Sequence, residues 1–233
     1  MALTTVCMLL TGSILLLKLP GTAAEALETL SVCFTKNVPE YKTDISCLRE
    51  RVQKLTRSYP TEDLMRSVYA NPNSVVGLNC HIIGHYIGGY AYKNSSSLED
   101  TLSKCTNDCR SSCLHGALGE AVLSELGEVY AGDDIAHADS ATLNQLGERY
   151  CSESTVLCHG IGHVLLIATQ DYDDALEICD TFSNRRQSCY LGVFMEGANA
   201  IETSRSGRQF RQALKPTRLH AMRWKRNTNG HVT

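Results

Sequence analysis

Aromatic side chains are scarce: they make up 6% of the chain, with one tryptophan and four phenylalanines, so the hydrophobic core is modest. Long apolar runs are also few. Beyond the first 24 residues no segment approaches the roughly 20 apolar residues that span a bilayer, which excludes a polytopic membrane protein. No basic stripe marks the body of the chain, and that argues against specific nucleic-acid binding. A phosphate-cradling glycine loop and a serine-nucleophile elbow are both missing. So is Cys-x-x-Cys-His, and with it ordinary covalent haem attachment. What remains, 233 residues of which 43% are hydrophobic and 20% charged, suits one compact domain or two small ones.

The charge is unevenly placed. Residues 201–233 carry eight Lys or Arg against Glu202 alone, and Lys18 adds one positive charge in the first 24 residues, so the formal net charge of −3 leaves the stretch 25–200 at −11. The basic tail, with Trp224 in it, reads as a disordered extension able to touch anionic surfaces.

Residues 1–24 combine an apolar run, the helix-breaking Leu19-Pro20-Gly21 and the small residues Thr22, Ala23 and Ala24. That is the pattern of a secretory signal peptide cleaved near Ala24, although the usual positive charge before the apolar run is absent. Cys7 would leave with it. Ten cysteines then remain: Cys33, Cys47, Cys80, Cys105, Cys109, Cys113, Cys151, Cys158, Cys179 and Cys189. An even, high count behind an export signal predicts a disulfide framework in a secreted or periplasmic protein. Asn94-Ser95-Ser96 is a glycosylation acceptor if the pathway is eukaryotic.

The chain repeats itself once. Cys80-His81-Ile82-Ile83-Gly84-His85 is matched by Cys158-His159-Gly160-Ile161-Gly162-His163, each followed by a spacer, Leu-x-x-x-Cys, a turn, and Cys-x-x-Gly-x-x-x-Glu. Matching cysteines are offset by 78, 74 and 76 positions. Apolar spacing within each unit is helical, and Asp171 with Asp173 marks a helix start. The expected fold is all-α: duplicated, disulfide-stapled helical-hairpin units at 80–157 and 158–200, behind a helical segment at 25–79. Within 25–70 two or three helices are expected, one through Cys47 to Val52 and one opening at Thr61 behind Pro60. Duplicated helical units stack to bury faces that neither buries alone.

The run Ala175-Leu176-Glu177-Ile178-Cys179 followed by Cys189-Tyr190-Leu191-Gly192 resembles the cysteine-bridged αα-hairpin repeats that are secreted relatives of tetratricopeptide repeats. The resemblance covers about residues 174–199, with a fainter copy at 98–119. It implies antiparallel helices joined by a disulfide beside the turn, with a glycine permitting close approach. The implied bridges are Cys179–Cys189 and Cys105–Cys113, with Cys109 able to substitute for either partner in the second.

Within each unit, two histidines four apart project from one helical face. If a pseudo-two-fold brings the copies together, His81, His85, His159 and His163 converge, and His115, at the position held by Leu191 in the second copy, adds a fifth ring. Glu120 and Glu196 correspond across the copies as carboxylate ligands, partners of the rings or a base. Imidazole-rich sites suit zinc first and copper second. The metalloprotease signature is absent, since Ile82 and Gly160 stand where its glutamate belongs. The leading expectation is therefore metal binding, structural or catalytic. Its rivals are a helical-repeat scaffold for a protein or small-molecule partner, with the histidines merely packed, and a copper-handling or thiol-redox protein using Cys109 and its neighbours. The acidic stretch 133–139 reads as a loop between copies.

Overall fold

The computed structural model describes residues 21–37, 40–95, 97–127, 139–182 and 185–202. Most of the expected signal segment, most of the acidic stretch and the basic tail beyond residue 202 lie outside them.

Seven of the described helices open on a side-chain oxygen that accepts one of the otherwise orphaned first-turn N–H groups, a contact worth about 1 kcal/mol. Thr22 caps α1 (Ala23–Glu28) in a reciprocal box with Glu25, so the expected cleavage point near Ala24 falls within the first turn of a helix. Asp44 caps α2 (Ile45–Ser58). Pro60 precedes α3 (Thr61–Ala70), and the single turn α4 (Val75–Leu78), capped by Ser74, leads into α5 (Cys80–Ser95). Ser97 caps α6 (Leu98–Lys104), which precedes α7 (Asp108–Glu125). Asp139 caps α8 (Ser140–Glu153), Ser154 caps α9 (Thr155–Thr169) and Asp171 caps α10 (Tyr172–Thr181). The last helix among the described residues is α11 (Arg186–Glu202).

The fold is all-α in class, with one small exception that helical patterning missed. A 3-10 turn at Thr29–Cys33 runs into an antiparallel hairpin, β1 (Phe34–Asn37) and β2 (Glu40–Thr43), in which Phe34 pairs with Thr43. Four-residue strands are too short to show alternation clearly. The Cys33–Cys47 disulfide ties the hairpin to α2.

Two hydrophobic clusters share the interior. In the first, Leu27 and Leu30 meet Leu48 and Val52 of α2, Leu64 and Met65 of α3, and Ile83 and Ile87 of α5. In the second, Leu118 and Val122 of α7 meet Leu143, Ile161, Leu165, Ala175, Ile178 and Val193. Each fully buried leucine or isoleucine contributes roughly 1.5–3 kcal/mol. Helix α7 serves both clusters, with Cys113 in the first and Leu118 in the second, so the segment 25–79 and α5 are parts of one core.

The large helices stand in file: α5 packs on α7, α7 on α9 and α9 on α11. Units following one another in this way are successive steps of a stack, so the convergence of the histidines does not need the pseudo-two-fold that was its supposed route. Close approach is set by glycines. A Cβ on Gly116 would run into the His85 carbonyl oxygen, and one on Gly192 into the His159 carbonyl oxygen.

Those two contacts define the packing register. His85 and His159 are equivalents in it, 74 positions apart, whereas the Cys-His motifs are 78 apart. The difference of four residues is about one helical turn. His81 thus lies a turn before that common level and His163 a turn beyond it, and the two pairs are staggered.

Eight of the ten candidate cysteines are joined, as Cys33–Cys47, Cys105–Cys113, Cys151–Cys158 and Cys179–Cys189. Both pairings implied by the resemblance are among them. Cys80 and Cys109 are not bridged. Four disulfides fit an oxidising, extracytoplasmic setting. Among the described residues no helix is long and apolar enough to cross a membrane.

Candidate metal centre

All five candidate histidines meet. His81 and His85 come from α5, His115 from α7, and His159 and His163 from α9, with α7 lying between the other two helices. Ring centroids are 4.7 Å apart for His81 and His85, 4.9 Å for His85 and His163, 4.7 Å for His115 and His159, and 5.6 Å for His115 and His163. The stagger lets the pairs interleave, so that His85 of one faces His163 of the other.

Four of these rings, His81, His85, His115 and His163, offer ligand atoms that all lie within 4.8 Å of one another. Nitrogens bound tetrahedrally to zinc at about 2.0–2.1 Å sit roughly 3.3 Å apart. The Nε2 atoms of His81 and His85 are already 3.1 Å apart, and those of His159 and His163 are 3.2 Å apart. Drawing the widest contact of the group to that spacing is a movement of at most roughly 1.5 Å, within reach of side-chain torsions.

The outer ring nitrogens are held from behind. His81 Nδ1–H donates to the Cys109 carbonyl at 2.8 Å, and His163 Nδ1–H donates to Glu196 Oε2 at 2.9 Å. Each bond fixes a tautomer whose Nε2 lone pair points inward, the arrangement typical of metal-ligating imidazoles. The His159 ring is held by the Ser188 backbone. His115 differs: it is 4% exposed and its buried Nδ1 has no hydrogen-bond partner. A buried polar atom left unpaired costs about 1–3 kcal/mol, which coordination to a cation would offset.

Burial also favours the neutral form of His81, His85, His115 and His159. Desolvation, reinforced by the neighbouring imidazoles, lowers the His115 pKa to about 2 and that of His159 to about 4. It holds His85 well below the ordinary imidazole value and lowers His81 too, where the bond to Cys109 opposes it. Neutral imidazole is the form that binds metal.

The two corresponding carboxylates have separate fates. Glu196 orients His163, whereas Glu120 forms an ion pair with Lys93 at 2.9 Å, and its own pKa is raised chiefly by burial. In the packing register His163 corresponds to Gly89, and Glu120 lies against that glycine with no ring to hold.

Sequence reasoning missed the Cys109 carbonyl. Cys109, Arg110 and Ser111 form a left-handed turn inside α7, with φ of 52°, 59° and 59°, closed by the Cys105–Cys113 disulfide. Three consecutive non-glycine residues in that region cost on the order of 1–2 kcal/mol each, and nothing in their identities announces it. His115 and Leu191 make an instructive pair. His115 faces inward because α9 stacks beyond α7, while Leu191 on α11 is 61% exposed.

No protein-family model, curated protein or solved structure matches the chain. The class is therefore defined by fold and site alone: a disulfide-stapled helical protein with a histidine cluster that could hold a metal ion.

Proposed function

We propose that this is an exported zinc-binding protein whose duplicated helical units bring five histidines to one centre. The observation that carries the reading is the convergence of His81, His85, His115 and His163, with the His115 Nδ1 buried and unpartnered. Zinc suits an all-imidazole tetrahedral set, and copper is the second choice. His159, in contact with both His163 and His115, is a fifth donor able to exchange with one of the four.

A structural or ion-holding role fits better than hydrolysis. Four protein ligands close a zinc site, whereas catalytic sites keep a position open. Both carboxylates are also engaged, Glu196 with His163 and Glu120 with Lys93. The test is metal analysis of untagged protein secreted into zinc-replete medium. About one zinc per chain is expected, lost in the His85→Ala/His163→Ala double variant; metal-free protein overturns the reading.

A second reading, an interaction scaffold, draws on Leu191 and Phe194, which α11 exposes. It becomes the better account if the secreted protein holds no metal.

A further inference from the structure

The left-handed turn in α7 does more than present a carbonyl to His81. It also sets the buried Cys109 beside Cys80, the first residue of α5 and the immediate neighbour of His81: the His81 ring reaches the Cys109 carbonyl at 2.8 Å, and both cysteines belong to the same hydrophobic cluster. These are the unbridged cysteines among the described residues, in a chain whose other four described pairs are closed. We propose that Cys80 and Cys109 are a dithiol site which a small-molecule disulfide oxidises to a fifth bridge, and that this bridge holds His81 in its ligating orientation. The second half rests on the zinc reading; the first does not.

The chemistry is two successive exchanges. The Cys80 sulfur, as thiolate, attacks one sulfur of the oxidant RSSR, forming a mixed disulfide and expelling one RS⁻. The Cys109 sulfur then attacks the Cys80 sulfur, closing the bridge and expelling the second RS⁻. The two thiol protons pass to the departing thiolates, so two cysteines are oxidised and one RSSR is reduced to two RSH. The order follows from exposure: Cys80 is half-buried and open to a small oxidant, while Cys109 is buried.

Closure would tie the start of α5 to the strained turn and fix the Cys109 carbonyl where His81 Nδ1–H donates to it. Cys109 is thus a positioning residue acting through its backbone. Loss of such an outer hydrogen bond weakens metal binding about 10-fold to 100-fold.

The experiment treats the secreted protein with glutathione disulfide, alkylates it and maps its peptides without reduction. A Cys80–Cys109 crosslink is expected. Both cysteines alkylated after treatment, or Cys109 found linked to Cys105 or Cys113, overturns the proposal. Zinc competition titrations then compare the bridged chain with Cys80→Ser. The variant should bind about 10-fold more weakly. In nitrogen NMR the His81 Nδ1 resonance should move while that of His159 stays. Equal affinities and an unmoved His81 resonance overturn the positioning half. A crosslinked chain that binds no zinc in either form defeats the zinc reading and the positioning half while leaving the bridge established.

Discussion

Glu196 holds His163 through a 2.9 Å contact to Nδ1, while the carboxylate at the corresponding place in the first unit, Glu120, is turned to Lys93. The same residue type at matched positions thus orients a ring in one copy and serves an ordinary ion pair in the other. The Glu120 pair is largely buried on the acid side and a third exposed on the lysine side.

That asymmetry predicts unequal variants. Glu196→Gln should weaken zinc binding about 10-fold to 100-fold, because the amide holds the His163 tautomer less firmly. Glu120→Gln should leave affinity unchanged. Competition against a chromophoric chelator measures both, and equal effects would contradict the assigned roles.

Packing predicts a second result. Gly116→Ala and Gly192→Ala each drive a methyl group into a histidine carbonyl across a helix contact, at His85 and His159 respectively. Each should destabilise the chain by about 1–3 kcal/mol, read as a lower midpoint in urea unfolding. Gly119→Ala is the control. The nearest atom to its Cβ would be a Val164 methyl at 3.8 Å, an ordinary contact, and its midpoint should hold.

Acid should unfold the metal-free protein early. His85, His115 and His159 have folded pKa values depressed below the ordinary 6.5, so the unfolded chain binds more protons than the folded one as pH falls. Their contribution is fully present above pH 6.5 and is lost progressively below it, through about 4 for His159 and on toward about 2 for His115. Urea midpoints of the metal-free chain should drop steadily from pH 7 to pH 4. A flat profile would mean that the rings are solvated.

How much of this could be read in the sequence varies from residue to residue. Caps such as Asp171 and the helical spacing of the apolar residues disclosed the helices, and the doubled Cys-His motif disclosed the four paired histidines. His115 was legible from its place in the duplicated unit, two residues after Cys113 as Leu191 is after Cys189. The register was not, since the motif offset of 78 and the packing offset of 74 differ by a helical turn, and only the glycine contacts decide between them. The fates of Glu120 and Glu196 follow from that register and were equally hidden. The turn at Cys109 is fixed by tertiary structure: non-glycine residues adopt positive φ too rarely for sequence to reveal it.

X-ray absorption on the zinc-loaded protein tests the central claim most directly. The account predicts four nitrogen neighbours at about 2.0–2.1 Å with the outer-shell scattering of imidazole rings, and no sulfur near 2.3 Å. Sulfur in the first shell would move the site to Cys80 and Cys109, and zinc surrounded by water oxygens alone would leave the five histidines as packing.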